Sequence, residues 1–201
     1  MRLLFIFALL FVHLVAQDKY SLRLEAGQSS ASDFDQLYTF KGFNTSPYNT
    51  KVYGIDGGYE LYNNLFTLPL DIYLKAGLSY FDENYHQKDF LEGTFYIKMY
   101  YSLEALGYEL RIGIAEGVSY AHRVPYVEAR EAIEENDNQS NFLNYMEITF
   151  DIDLGKITHQ KYLDEVYLGY LIKHRSGFHG AYGGVSDGGS NYNCLYVEKN
   201  F

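Results

Sequence analysis

The sequence contains no tryptophan, one cysteine and three prolines among its 201 residues. A single cysteine excludes an intramolecular disulfide framework and a zinc site built on several cysteines. Acidic residues outnumber basic residues by 26 to 16, which gives a formal net charge of −10 without a compensating basic patch. This balance argues against a nucleic-acid partner. The histidines show no ligand spacing and the glycine pairs form no phosphate-binding motif, so we expect no metal and no cofactor.

Long apolar runs are absent except at the N-terminus. The segment from Leu3 to Val15 is almost wholly apolar, follows Arg2 and stops before Asp18. This is the pattern of a secretory signal peptide, and it is too short to span a bilayer. We therefore expect a signal peptide over residues 1–16 and a mature domain over 17–201, with a buried N-terminal helix as the alternative. The mean hydropathy of −0.24 excludes a protein made of many membrane helices.

Tyrosine and phenylalanine are abundant, with 22 and 14 copies, and they lie in segments where apolar and polar residues alternate. An alternation of period two predicts a strand with one apolar and one polar face. Eight such segments follow one another: Tyr20–Ala26, Tyr53–Leu61, Leu68–Tyr80, Phe95–Leu103, Tyr108–Ile114, Phe142–Leu154, Val166–Lys173 and Asn191–Phe201.

The residue composition of the polar face distinguishes a barrel from a soluble β-sandwich. It carries glycine, tyrosine and charges of both signs, as in the packed interior of a small barrel, whereas the apolar face is nearly complete. Long and short connections alternate, and the chain ends in Phe201. We predict an all-β fold, an eight-stranded antiparallel transmembrane β-barrel with long external loops in the bacterial outer membrane. A periplasmic or secreted β-sandwich is the alternative.

The barrel prediction assigns a direction to individual side chains. Nine apolar residues should point outward: Leu70, Ile72, Leu74, Ile112, Ile148, Phe150, Ile152, Leu168 and Ile172. Five charged residues should point inward and pair with one another: Asp71, Lys75, Arg111, Glu147 and Asp151.

One polar pair interrupts the apolar face near the end of the seventh strand. His174 and Ser176 continue the outward row of Leu168, Tyr170 and Ile172. Two residues along a strand span roughly 6.6 Å, so the imidazole can reach the hydroxyl, which is the core of serine acyl transfer. The alternative is that both side chains lie in the headgroup zone and only mark the end of the strand.

The segment from Gly169 to Phe201 resembles the family of lipid A 3-O-deacylases, the PagL family. The resemblance rests on the strand with His174 and Ser176, a glycine-rich loop, and a last strand that opens with Gly189-Ser190-Asn191. It implies an eight-stranded outer-membrane barrel that hydrolyses an ester-linked acyl chain of lipid A.

Under this resemblance Ser176 is the nucleophile and His174 the base. The family has a glutamate where this chain has Gly188, so the adjacent Asp187 is the expected acid. Gly177, where the family has asparagine, and Asn191 are the candidates for oxyanion or substrate binding. The implied partners are lipid A, or lipopolysaccharide, of the outer leaflet and the membrane lipids. The alternative function is a non-catalytic barrel with a structural, adhesive or lipopolysaccharide-binding role.

Overall fold

A computed structural model describes residues 19–32, 36, 44–105, 108–186 and 188–201. The predicted signal peptide with its cleavage site and the predicted acid Asp187 lie outside the described residues.

Eight antiparallel strands form one closed barrel in which every strand pairs with its neighbours in sequence and β1 pairs with β8. The strands are β1 (Tyr20–Ser29), β2 (Lys51–Tyr62), β3 (Leu70–Asp82), β4 (Phe90–Ala105), β5 (Tyr108–Ala121), β6 (Phe142–Asp153), β7 (Val166–Ser176) and β8 (Gly189–Asn200). The predicted all-β, eight-stranded antiparallel barrel is therefore confirmed. The β-sandwich alternative is wrong, because the eight strands form a single sheet that closes on itself.

The two ends of the barrel differ. The turn end holds Tyr20 and Phe201, whose backbones exchange hydrogen bonds of 3.2 and 2.8 Å. The loop end holds the connections after β1, β3, β5 and β7, including helix α1 (Tyr126–Glu135). The connection at 154–165 lies at the turn end, where the alternation of long and short connections predicts a short one. It nevertheless contains helix α2 (Leu154–Thr158). Among the residues that the structure describes, no helix is long and apolar enough to cross a membrane.

The outer wall of the barrel is an exposed apolar band between two sets of aromatic residues. Leu24, Ile55 and Ile114 expose 53, 46 and 49% of their surface in the middle of the wall. Tyrosines such as Tyr62 and Tyr108 lie toward the turn end, and others such as Tyr80 and Tyr120 lie toward the loop end. An apolar band flanked by aromatic girdles is the surface that a barrel presents to lipid. The predicted outward row is confirmed, although Ile172 is only 5% exposed.

The interior is a network of buried ion pairs. Arg23 contacts Asp56 at 2.5 Å and Glu147 at 2.5 Å, and Arg111 contacts Asp151 at 2.8 Å. The other buried pairs are Lys75 with Asp56 and Glu198, Lys98 with Glu147, Arg111 with Glu198, Lys173 with Glu25 and Glu92, Arg175 with Glu92 and Glu128, and Arg23 with Glu25. Six buried lysine and arginine side chains therefore lie in the interior of the barrel, where the carboxylates compensate their charges.

The predicted inward direction is confirmed for Lys75, Arg111, Glu147 and Asp151. The predicted pairing within this set is confirmed only for Arg111 with Asp151, because Lys75 and Glu147 pair with other interior charges. Asp71 forms none of the described interior ion pairs. Asp71 lies at the turn end, where its carboxylate accepts the backbone N–H of Asn64 at 2.9 Å. Its position near the mouth of the barrel places it within reach of a turn and away from the interior cations.

Candidate functional site

The candidate site lies on the outward face of β7 at its loop end. His174 faces Asn191 of β8 across the strand pair, and Ser176 faces Gly189. His174 is 9% exposed and Ser176 is half-buried. A histidine this well covered on the outer wall is held by specific contacts, because an unpaired polar group in apolar surroundings is costly.

A hydrogen-bond chain orients the ring of His174. Its Nδ1 lies 2.7 Å from Oδ1 of Asn191, and Nδ2 of Asn191 donates to the backbone carbonyl of Ser32 at 3.0 Å. The second bond sets the orientation of the amide, so Oδ1 is the atom that faces the ring and Nδ1 carries the proton. Nε2 is then the basic nitrogen of His174. The contact with Ser32 also places the start of the first loop over this part of the wall.

The hydroxyl of Ser176 forms no hydrogen bond within the described part of the chain. Ser176 and His174 are nevertheless two residues apart on one face, a spacing of roughly 6.6 Å that side-chain rotation can bridge. Catalytic hydrogen bonds are often long without substrate and shorten in the complex. The structure thus places both predicted residues on one face without joining them.

The two predicted oxyanion or substrate-binding residues have other partners. The amide oxygen of Asn191 accepts from His174, so this residue orients the base. The backbone N–H of Gly177 donates to the carbonyl of Gly188 at 3.4 Å. A side chain at Gly177 would overlap Val185, so this position requires glycine for close packing of the loop. Neither residue directs a donor at Ser176.

Asp137 organises the loop around the predicted acid, and the sequence analysis did not single it out. Its Oδ2 accepts the backbone N–H groups of Ser186 at 2.8 Å and Gly188 at 3.1 Å. These two residues flank Asp187. Asp137 therefore holds the two described neighbours of the predicted acid in place.

Two further polar residues on the outer wall were also missed. Asn144 faces Ser176 across β6 and β7 and is 2% exposed. Its Nδ2 donates to the carboxylate of Glu116 and, at 3.4 Å, to the carbonyl of Gly117. The sequence signal was present, because Asn144 and Glu116 interrupt the apolar outward rows of β6 and β5.

Helix α1 is anchored to the two strands that carry the site. Glu128 of α1 lies 3.3 Å from Nε of Arg175 and accepts the hydroxyl of Ser190 at 3.2 Å. These residues directly precede Ser176 and Asn191 in the sequence. Burial raises the pKa of Glu128 to about 7, and the attraction of Arg175 offsets only part of this shift. The anchor of the helix is therefore buried.

An apolar groove of about 410 Å³ runs along the outer wall over β5 to β8. Tyr170, Leu168 and Leu195 lie in its wall. Tyr170 is four residues below His174, which corresponds to roughly 13 Å along the strand. The groove therefore lies deeper in the apolar band than the polar pair and has the character to hold an alkyl chain. Within the described ranges, no group of three or more His, Cys, Asp or Glu side chains is arranged to hold a metal ion.

The fold and the outward site together define a small β-barrel of the outer-membrane class with a polar cluster on its lipid-facing wall. The chain is similar in structure to the outer membrane enzyme PagL, with a TM-score of 0.57 and 13% identity over 90% of this chain and 99% of that one. It also matches Neisserial surface protein A, with a TM-score of 0.49 and 12% identity over 90% of this chain and 97% of that one. A third match is Ail of Yersinia pestis in a phospholipid nanodisc, with a TM-score of 0.49 and 9% identity over 92% and 100% of the two chains.

These likenesses concern the fold. At 13% identity, the similarity to PagL supports the barrel and is consistent with an outer-membrane location, whereas the resemblance of the site to the deacylase family stays a prediction. No family model matches the sequence, and no curated protein matches it.

Proposed function

We propose that this protein is an outer-membrane ester hydrolase that removes an ester-linked acyl chain from lipid A. The observation that carries the proposal is the contact of 2.7 Å between His174 Nδ1 and Asn191 Oδ1, with Ser176 two residues further on the same outward face. This arrangement gives a hydroxyl, a base of defined tautomer and a residue that orients the base. Such a constellation is the minimal machinery for acyl transfer through a serine.

The reaction proceeds in two halves. Oγ of Ser176 attacks the ester carbonyl while Nε2 of His174 takes its proton, and the same nitrogen then protonates the oxygen of the leaving alcohol. Water, activated by His174, subsequently attacks the acyl-serine and releases the fatty acid. Asn191 holds the ring, a role that asparagine performs in the papain-like proteases. Asp187 remains our candidate for an additional acid.

Stabilisation of the oxyanion requires donors beside Ser176. We favour Asn144 as the side-chain donor because it faces Ser176 in the register of β6 and β7. Its amide N–H groups contact Glu116 and Gly117, so Asn144 would have to exchange the long contact of 3.4 Å with the Gly117 carbonyl for the oxyanion.

The position of the site suits a substrate that resides in the same membrane. Lipid A in the outer leaflet would present its ester bonds at the loop end of the wall, while the acyl chain enters the groove beside Tyr170. A soluble substrate would have no use for a polar cluster on an otherwise apolar wall. The proposed partners are accordingly lipid A, as part of lipopolysaccharide, and the surrounding membrane lipids.

The proposal is tested by mass spectrometry of lipid A from cells that express the wild type, Ser176→Ala or Ser102→Ala. Ser102 serves as the matched control because it lies at the turn end of β4. We expect loss of one acyl chain with the wild type and Ser102→Ala, and a rate lower by roughly a thousandfold or more with Ser176→Ala. Folding of each variant is checked by circular dichroism. Unchanged lipid A in cells with the folded wild type would favour the non-catalytic barrel.

A further inference from the structure

The turn end of the barrel opens into a cavity that the proposed reaction does not use. This cavity, the turn-end mouth, has a volume of about 810 Å³ and lies at the opposite end of the barrel from His174. Residues of β2, β3, β4, β5 and β8 line it, together with residues around the start of β7. Tyr73 and Tyr167 belong to its inner part, because they are only 3 and 4% exposed.

The charged residues that line the turn-end mouth in the described part of the chain are all acidic: Glu60, Asp71, Glu104, Glu109 and Glu165. Only Glu109 has an ion pair there, with Lys156. Glu104 stands directly opposite Glu109 on β4 and β5, an arrangement in which like charges repel each other. The residues that adjoin this end in sequence outside the described ranges add no cationic side chain: Gln17, Asp18, Leu106 and Gly107. The mouth therefore carries an excess of negative charge.

Two cations near the mouth are already engaged with other groups. The guanidinium of Arg111 lies 3.5 Å from the centre of the Tyr167 ring and pairs with Asp151 at 2.8 Å on the interior side. The ammonium group of Lys199 donates to the backbone carbonyl of Asp164 at 2.5 Å. Neither cation compensates the carboxylates of the turn-end mouth, so a compensating cation has to come from outside the chain.

A buried acceptor in the same mouth is a second and independent indication of a ligand. Asn200 lines the mouth and is 8% exposed. Its Nδ2 lies 3.5 Å from the hydroxyl of Tyr73 and 3.5 Å from Oε2 of Glu165, which fixes the orientation of the amide. Oδ1 of Asn200 has no hydrogen-bond partner within the described part of the chain. Because a buried acceptor without a partner is destabilising, a ligand that donates a hydrogen bond to Oδ1 gains affinity there.

Carboxylates together with an amide oxygen select a cation that donates hydrogen bonds. An ammonium group has this character, because it carries three donors and no acceptor. Within the described ranges, no group of three or more His, Cys, Asp or Glu side chains is arranged to hold a metal ion. The carboxylates come instead from β2, β3, β4, β5 and the connection before β7, so they are spread around the opening. Several ammonium groups on a flexible chain match this distribution better than one compact ion.

We propose that the turn-end mouth binds a linear organic cation with two or more ammonium groups, of the polyamine class. One ammonium group lies between Glu104 and Glu109 and relieves the repulsion between them. Another donates to Oδ1 of Asn200 and pairs with Glu165. The barrel thus carries a binding site at its turn end in addition to the candidate catalytic site on its wall.

Equilibrium dialysis of labelled spermidine against the purified full-length protein in neutral detergent at low salt measures this binding. We expect one site in the wild type, with an affinity for spermidine about tenfold or more above that for propylamine, which has a single ammonium group. Asn200→Ala and the double variant Glu104→Gln/Glu165→Gln should each weaken the binding of spermidine by about tenfold. Glu134→Gln/Glu135→Gln removes the same two charges from exposed positions of α1 and should bind spermidine like the wild type. Circular dichroism checks that each variant folds.

Three results would overturn the proposal. The first is a wild-type protein that retains no spermidine. The second is an equal loss of affinity in the turn-end and the α1 double variants, because the net charge alone would then attract spermidine. The third is complete displacement of spermidine by equimolar Mg²⁺, which would make the ligand a metal ion. The mouth lies at the opposite end of the barrel from Ser176, so each of these results is independent of the proposed hydrolase.

Discussion

Replacement of Glu128 by glutamine should change how the stability of the barrel depends on pH. Glu128 is buried under α1, 3.3 Å from Nε of Arg175, and burial raises its pKa to about 7. The unfolded chain has an ordinary glutamate with a pKa near 4.5. Between these two values the folded protein keeps a proton that the unfolded protein releases. The contribution of Glu128 to stability is therefore greatest below about pH 4 and declines as the pH rises to about 7.

The size of the effect follows from the two pKa values. A difference of about 2.5 pKa units at 1.36 kcal/mol per unit corresponds to about 3 kcal/mol of stability lost by the wild type between pH 4 and pH 8. Glutamine has the shape of the protonated carboxyl group and does not titrate. The free energy of unfolding of Glu128→Gln should therefore match the wild type near pH 4 and exceed it by up to about 3 kcal/mol at pH 8.

Guanidinium unfolding in detergent, followed by circular dichroism between pH 4 and pH 8.5, measures this difference. Glu134→Gln provides the control, because Glu134 belongs to the same helix but its side chain is 63% exposed. Its difference from the wild type should be nearly independent of pH. A constant difference between the wild type and Glu128→Gln over the whole range would refute the reasoning.

Three further predictions concern the site, the interior and the wall. Asn191→Ala should lower kcat on a 4-nitrophenyl fatty-acid ester by up to about 10⁴-fold. Asn191→Asp should retain activity, because its carboxylate still accepts a hydrogen bond from His174. A wild-type kcat in the alanine variant would contradict the role assigned to Asn191. Glu147→Leu removes the carboxylate that pairs with Lys98 and one of the three that pair with Arg23. It should destabilise the barrel by about 3–5 kcal/mol in guanidinium unfolding, so an unchanged midpoint would speak against the ionic interior. Ile114→Arg should lower the free energy of unfolding in lipid vesicles by about 2–4 kcal/mol, which reversible unfolding measures. A variant as stable as the wild type in vesicles would mean that this wall does not face lipid.

The direction of most side chains could be predicted from the sequence because alternation of period two assigns each residue to one of two faces. Lys75 and Arg111 lie inside and Ile112 and Phe150 lie outside, as the pattern predicted. The closed eight-stranded barrel followed from the same pattern combined with charges of both signs on one face. Such charges require partners in a packed interior.

The contacts of the candidate site could not be predicted in the same way. Asn191 and His174 are 17 residues apart, and they meet because the register of β7 and β8 places them opposite each other. The sequence pattern assigned Asn191 a role in substrate or oxyanion binding, whereas the structure makes it the partner of the base. The buried anchor of Glu128 likewise depends on how α1 folds back over the barrel.

The sequence by itself therefore determined the fold class, the number of strands and the face on which His174 and Ser176 lie, because these depend on local alternation. Only the tertiary structure decided that Asn144 stands beside Ser176 and that Asn191 orients His174. The physical reason is that alternation sets the face of a residue but not its partner across the strand pair. That partner depends on strand register, which turns and barrel closure set together.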